Sequence, residues 1–166
     1  FGGSINHLQS IYDLNIGLPL LRKDFIFHRY QLLQAKTAGA SAALLIVAML
    51  DPALLKDLIS IASEMDLDII VEIHNTQELD IALNTKTKII GINNRDLHTF
   101  TTSLDTTKTL RPLIPKEICV IAESGIHSNA DVEVLTHLKV DAMLIGESIV
   151  TATDIESKIR HLINFK

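Results

Sequence analysis

The chain holds a single cysteine, Cys119, inside the apolar run ICVIA. That scarcity excludes an intrachain disulfide framework and a cysteine-rich zinc site, and it sets the expected location as a reducing, cytoplasmic one. Basic charge is also short: 15 Lys and Arg stand against 20 Asp and Glu, for a net charge of -5, and no two-residue basic step is extended to a third. Electrostatically driven nucleic-acid binding is therefore not expected. The longest apolar stretch, Ala40 to Leu50 with Ser41 inside it, is far short of the roughly 20 residues that a membrane-spanning helix needs, so no membrane association is expected. The chain opens on Phe1, and FGGSINHLQS has neither a basic leader nor an apolar signal core, so it is expected to begin part-way through a longer protein.

Other motifs are missing too. There is no GxGxxG and no Walker sequence. The histidines His7, His28, His74, His98, His127, His137 and His161 are scattered, without HExxH or a close pair, so no metal site is expected. Ser124 is followed by Gly125, but position 122 is alanine where a nucleophile elbow carries glycine, which disfavours a hydrolase triad.

What is present is an apolar fraction of 47% arranged in short runs, with only four prolines. This composition fits one globular domain with a substantial core, expected to cover residues 1–166. The runs LPLL (18–21), AALLIVA (42–48), DIIVEI (68–73), KIIGI (88–92), ICVIA (118–122) and AMLIG (142–146) read as buried strands. Between them, residues 51–65 carry Leu54, Leu55, Leu58, Ile59 and Ala62 at helical spacing, with Asp51 as N-cap and Pro52 at the first helical position. HRYQLLQAKTAGA reads as a helix ending at Gly39, and NTQELDIALNT as one capped by Asn75 or Thr76 with Glu78 in its first turn. A further helix is read in residues 4–17, with Ile5, Leu8, Ile11 and Tyr12 on one side.

Strands apolar on both faces, each followed by a helix, indicate a parallel sheet, either doubly wound or a (β/α)8 barrel. The strand ends recur about every 25 residues, a spacing at which eight units fill about 200 residues, as in a barrel. Six βα units are visible, so a complete barrel would need about two more strands before Phe1.

In such folds the site lies beyond the carboxyl ends of the strands. Five of the six runs deliver charged or amide groups there: Arg22, Lys23 and Asp24; Glu72 and His74; Asn93, Asn94, Arg95 and Asp96; Glu123, Ser124 and Gly125; and Gly146, Glu147 and Ser148. A lysine and a glutamate in that setting, Lys23 and Glu72, suit acid and base roles. The SG step at 124–125 and the GES step at 146–148 each lead toward a helix and suit a phosphate, because glycine lets backbone N–H groups approach an anion closely. Phe25 and Phe100, among seven aromatics, are candidates for the mouth of a pocket, and Phe25 is placed to stack on an aromatic substrate.

The series LPLLRKDFI, ALLIVA, DIIVEIH, IIGINNRDL, VIAESGI and LIGESIV, in this order and spacing, closely resembles the indole-3-glycerol phosphate synthase family, barrel enzymes of tryptophan biosynthesis. The resemblance implies decarboxylating ring closure of 1-(2-carboxyphenylamino)-1-deoxyribulose 5-phosphate to indole-3-glycerol phosphate, with release of CO2 and water and no metal or organic cofactor. It implies that Lys23 is the catalytic general acid, that Glu72 is the catalytic glutamate, and that Asn93 and Arg95 orient the substrate, Arg95 on its carboxylate. It implies that Glu123 belongs to the substrate site, with Phe25 against the anthranilate ring. Ser124, Gly125, Gly146 and Glu147 would grip the phosphate.

The family's ExKxxSPS motif, with a second lysine and a second glutamate, has no counterpart in the chain, nor has the family's second strand apart from the FGGS loop. The isolated chain is accordingly expected to be inactive or impaired, and to self-associate through exposed sheet edges, while the parent protein is expected to be a monomer. Two rival readings remain at this point. One is another phosphate-binding barrel such as phosphoribosylanthranilate isomerase, which needs a cysteine at a strand end; the other is a noncatalytic phosphate-binding fragment.

Overall fold

The computed structural model describes residues 2–97 and 99–163; His98 and the two chain ends lie outside the described residues. These residues form two compact units, one made of the described residues up to 72 together with 80–88, the other of residues 73–79 together with the described residues from 89 onward.

The first unit holds three parallel strands in the order β1 (Leu21–Arg22), β2 (Ala42–Ile46) and β3 (Asp68–Ile73). In the register Leu21 faces Ala42 and Ile46 faces Glu72, so Glu72 stands level with the last residue of β2. Apolar residues on both faces of β2 and β3 are what crossover helices require: Ala43, Leu44, Leu45, Ile70 and Val71 are all buried. Burying each such leucine or isoleucine contributes about 1.5–3 kcal/mol.

Helices α1 (Ile5–Asp13), α2 (Arg29–Thr37) and α3 (Pro52–Glu64) start where capping chemistry allows. Ser4 and His7 form a capping box on α1, His28 and Gln31 form one on α2, and Asp51 caps α3 with Pro52 at its first position. The α2 helix is closed by Gly39 in the left-handed region (φ 88°), and the Tyr12 ring packs directly over its Cα. The helix α4 (Thr76–Leu83) takes Asn75 as its cap, Oδ1 accepting from the Glu78 N–H at 2.9 Å.

The second unit repeats the pattern with β4 (Ile89–Asn93), β5 (Cys119–Glu123) and β6 (Ala142–Leu144), parallel in that order. Helices α5 (Asp105–Leu110), α6 (Asn129–His137), α7 (Glu147–Val150) and α8 (Ile155–Ile163) follow its strands. Its apolar centre is Ala122, Ile126, Leu135 and Leu162, with Val132, Met143, Ile145 and Ile149 packed against them.

Three sequence expectations are corrected. LPLL is not a strand along its length: only Leu21 of that run lies in a strand, Leu20 reaches β2 through its carbonyl, which accepts from the Ser41 and Ala42 N–H groups, Pro19 has no N–H to donate and Leu18 is exposed. The 42–48 strand stops at Ile46, and residues 47–49 turn as a 3-10 helix that brings the chain to the Asp51 cap. The helix read over residues 4–17 is shorter, Ile5–Asp13, and it buries no residue: Ile11 and Tyr12 are exposed, and Ile5 and Leu8 are half-buried.

Candidate active site

In the first unit, Lys23 follows directly after β1 and Glu72 lies on β3. The Lys23 ammonium Nζ donates to Glu72 Oε2 at 3.1 Å, and the two side chains differ sharply in exposure, 42% for the lysine against 2% for the glutamate. One ionised group is thus embedded and the other reaches it from solvent. The loop carrying the lysine is pinned by a single side chain of α2. Gln31 Oε1 accepts from the N–H groups of Phe27 and His28, and its Nε2 donates to the Phe25 carbonyl. Arg22 adds a 2.6 Å bond to the Gln31 carbonyl and an ion pair with Asp24. Phe25 itself is 60% exposed, an apolar ring held out in water by an ordered backbone.

In the second unit, the ends of β4 and β5 stand level, with Asn93 opposite Glu123. Both side chains are buried, and Asn93 Oδ1 accepts from the Arg95 N–H at 3.0 Å. Ser124 and Gly125 follow with φ of 63° and 70°, two successive left-handed residues that turn the chain sharply off β5. Glycine is required at 125 for conformation and for space, because a Cβ there would lie 3.2 Å from that of Thr102. Gly146 caps α7, the GES step leading straight into that helix, whereas the SG step reaches α6 only after Ile126, His127 and the Ser128 cap. Among the described residues the N–H groups of Gly125 and Gly146 meet no acceptor. Arg95 forms an ion pair with Glu147, so the two side chains read separately in sequence, one for a substrate carboxylate and one for the phosphate pocket, engage each other.

The structure gives specific partners to strand-end residues that the sequence left without a role, and adds Thr107. Asn94, only 2% exposed, has its whole amide engaged: Nδ2 donates to the Glu123 and Ser124 carbonyls, and Oδ1 accepts from both the N–H and the hydroxyl of Thr107. Its own N–H donates to the Glu123 carbonyl at 2.8 Å. Ser148 at the start of α7 donates to the Ile126 carbonyl at 2.8 Å. The sequence placed Asn94 and Ser148 at strand ends, Ser148 within the GES step, without showing what either holds; nothing in it marked Thr107.

Cys119 opens β5 rather than closing it, and burial pushes its half-buried thiol up, with Asp141 adding to the effect. A cysteine at the amino end of a strand does not serve the isomerase reading. Phe100 is exposed in a tight hairpin in which Arg95 pairs with Thr102. Among the described residues no group of three or more His, Cys, Asp and Glu side chains is disposed to hold a metal ion.

A family model described as indole-3-glycerol phosphate synthase matches residues 1–162. A protein of Dehalococcoides mccartyi named indole-3-glycerol phosphate synthase is 47% identical over 165 residues, covering 98% of the chain and 64% of its own length. One of Roseiflexus castenholzii with the same name is 44% identical over 162 residues, 95% of the chain and 60% of its own length. The chain therefore spans somewhat under two thirds of these relatives. Among solved structures, 3-hexulose-6-phosphate synthase from Salmonella typhimurium superposes with a TM-score of 0.83 at 14% identity, over 96% of the chain and 78% of that protein. A tryptophan synthase alpha-subunit from Pyrococcus furiosus gives 0.77 at 17% identity, over 99% and 75%. These likenesses show the fold: the chain supplies six βα units of a (β/α)8 barrel.

Proposed function

The chain belongs to the indole-3-glycerol phosphate synthase family, and on that premise we propose that the whole protein closes the indole ring in tryptophan biosynthesis, as a carbon-carbon lyase. The substrate, 1-(2-carboxyphenylamino)-1-deoxyribulose 5-phosphate, loses CO2 from the ring and water from the former ketone carbon. The observation that carries the reading at the level of chemistry is the 3.1 Å contact between Lys23 Nζ and the embedded Glu72 carboxylate.

Ring closure needs a proton for the ketone oxygen as the new carbon-carbon bond forms. Lys23 is a cation with three donors, 42% exposed and in contact with Glu72, and it supplies that proton. Glu72 keeps the lysine charged and oriented, and serves as base or electrostatic partner while the ring regains aromaticity and water departs. Asn93 and Glu123, paired level at the ends of β4 and β5, are assigned to the substrate's hydroxyl groups and reacting centre, and Arg95 to its carboxylate. That assignment requires the substrate to exchange with Glu147 on the guanidinium. Phe25 offers its ring to the anthranilate. Ser124, Gly125, Gly146 and Glu147 take the phosphate through backbone N–H groups, a reading supported by the unengaged N–H groups of both glycines.

No cofactor is assigned to the reaction, as the family resemblance implies. The cytoplasm is the proposed compartment, on the lone, half-buried thiol of Cys119. No helix among the described residues is long and apolar enough to cross a membrane. The test is fluorescence detection of indole-3-glycerol phosphate formed by the 166-residue chain and by the protein at the full length of its relatives. Product from the full-length form, lost in Lys23→Ala, supports the reading. A full-length protein that is folded and forms no product overturns it, in favour of a phosphate-binding fold of other chemistry.

A further inference from the structure

A buried polar network of the second unit, outside the assigned catalytic groups, centres on Asn94, and it converges on the turn read above as part of the phosphate grip. Asn94 donates to two successive carbonyls, those of Glu123 at 3.1 Å and Ser124 at 3.3 Å, and Ser148 holds the next but one, that of Ile126. Three of four consecutive carbonyls are therefore fixed by side chains or by the Asn94 N–H, while the Gly125 N–H has no acceptor among the described residues. Two successive left-handed residues, one of them Ser124, are costly for a chain to hold unaided. The asparagine amide in turn is oriented by Thr107, itself fully buried, whose N–H and hydroxyl both donate to Oδ1 and so dictate which way the amide faces.

We infer that Asn94 is a positioning residue for phosphate binding: by holding the Glu123 and Ser124 carbonyls it keeps the Ser124–Gly125 turn wound with its N–H groups available to an anion. The inference rests on the reading of Ser124 and Gly125 as phosphate-binding, and it names the device that makes that turn competent. Asn94 touches neither substrate nor phosphate. Its effect is on affinity for the phosphate group and not on the chemical step. A free amide in place of a prewound turn must pay for ordering at the moment of binding, which weakens affinity without altering the lysine-glutamate pair.

The experiment is a titration of the full-length, 15N-labelled protein with inorganic phosphate, following the amide signals of Gly125 and Gly146, in the parent and in Asn94→Ala and Thr107→Val. Alongside it, KM and kcat are measured for the phosphorylated substrate. The expected result is saturable shifts at both glycines in the parent, a phosphate Kd raised at least tenfold in Asn94→Ala, and a smaller rise in the same direction in Thr107→Val. KM should rise in parallel while kcat stays within about threefold. A role in stability alone would reduce the active fraction, lowering apparent kcat at constant KM and leaving the phosphate Kd of the folded fraction unchanged, and that outcome overturns the inference. Should Asn94→Ala fail to fold, Thr107→Val decides: it keeps the side-chain volume and removes the shorter of the two bonds that orient the amide, and an unchanged phosphate Kd there overturns the inference. If the parent binds phosphate with normal shifts and both variants match it, the inference fails and the phosphate reading stands. If the parent shows no shift at either glycine, the phosphate reading itself fails and takes the inference with it.

Discussion

Replacing Glu72 by glutamine changes one oxygen to nitrogen at a site where the side chain is 2% exposed, so shape is kept and only the charge is removed. Two opposing terms set the effect on stability. The attraction between Lys23 and Glu72 across 3.1 Å is about 5 kcal/mol at an effective dielectric of about 20 and about 1 kcal/mol at that of water. The lysine is half in solvent, so the true figure lies between these limits. Against it stands the desolvation of the carboxylate, a penalty of several kcal/mol for an embedded ion. The two nearly cancel, and Glu72→Gln should change unfolding free energy by no more than about 1 kcal/mol in either direction. Activity should behave quite differently, because loss of a positioned acid-base partner lowers turnover by about 10²–10⁴-fold. Urea unfolding of the full-length variant measures the first, and the rate of indole-3-glycerol phosphate formation the second. Turnover within tenfold of the parent would refute the catalytic assignment of the pair. So would a stability loss above about 3 kcal/mol accompanying the activity loss, since it would make Glu72 a structural ion that the fold depends on.

Gly39→Ala should destabilise the first unit strongly, because φ of 88° disfavours any side chain and the new Cβ would overlap the Tyr12 ring; the drop in thermal midpoint should shrink when Tyr12→Ala is combined with it. Leu162→Ala, at a fully buried position against Ala122, Ile126 and Leu135, should cost about 2–5 kcal/mol in urea unfolding, and an effect below about 1 kcal/mol would show that α8 is not docked. Asp131 at the start of α6 responds to acid. Burial there pushes its carboxyl up, but the N–H groups of His127 and Ser128 and the Ser128 hydroxyl outweigh it, and the net value lies below the ordinary 3.8. A depressed carboxyl stabilises the folded form in full above 3.8 and loses that contribution as pH falls through the folded value, so the stability difference between the parent and Asp131→Asn should be constant near neutrality and vanish in acid. A difference that grows toward low pH would contradict the assignment.

The alternation of elements could be read because strands buried on both faces must be apolar almost without interruption, as in DIIVEI, which forms β3 residue for residue. Capping chemistry is just as local, and Asp51, Pro52 and Asn75 occupy the positions that their side chains suit. LPLL misled because apolar content alone does not supply N–H donors, and Leu18 and Pro19 lead into the sheet outside the strand. Helix α5 gave no signal: its N-cap position is Leu104, which makes no side-chain bond, and its first N–H groups are met by Ser103 Oγ and by Asn94, thirteen residues before Thr107 in the chain. Lys23 and Glu72 were legible as strand-end residues, and their contact follows from the register of three parallel strands. The Arg95–Glu147 pair, 52 residues apart, was not, because sequence assigns each charge a task without showing that the two meet.

The two members of the lysine-glutamate pair sit on elements of very different permanence. Glu72 belongs to a six-residue strand with five buried positions, laddered along β2, where amide hydrogens exchange with solvent only in openings close to global unfolding. Lys23 follows a strand of two residues and rides on a loop whose order depends on Gln31. On the proposed assignment of Lys23 as proton donor, any travel between free and occupied states therefore belongs to the lysine, with the carboxylate as the fixed point against which it moves.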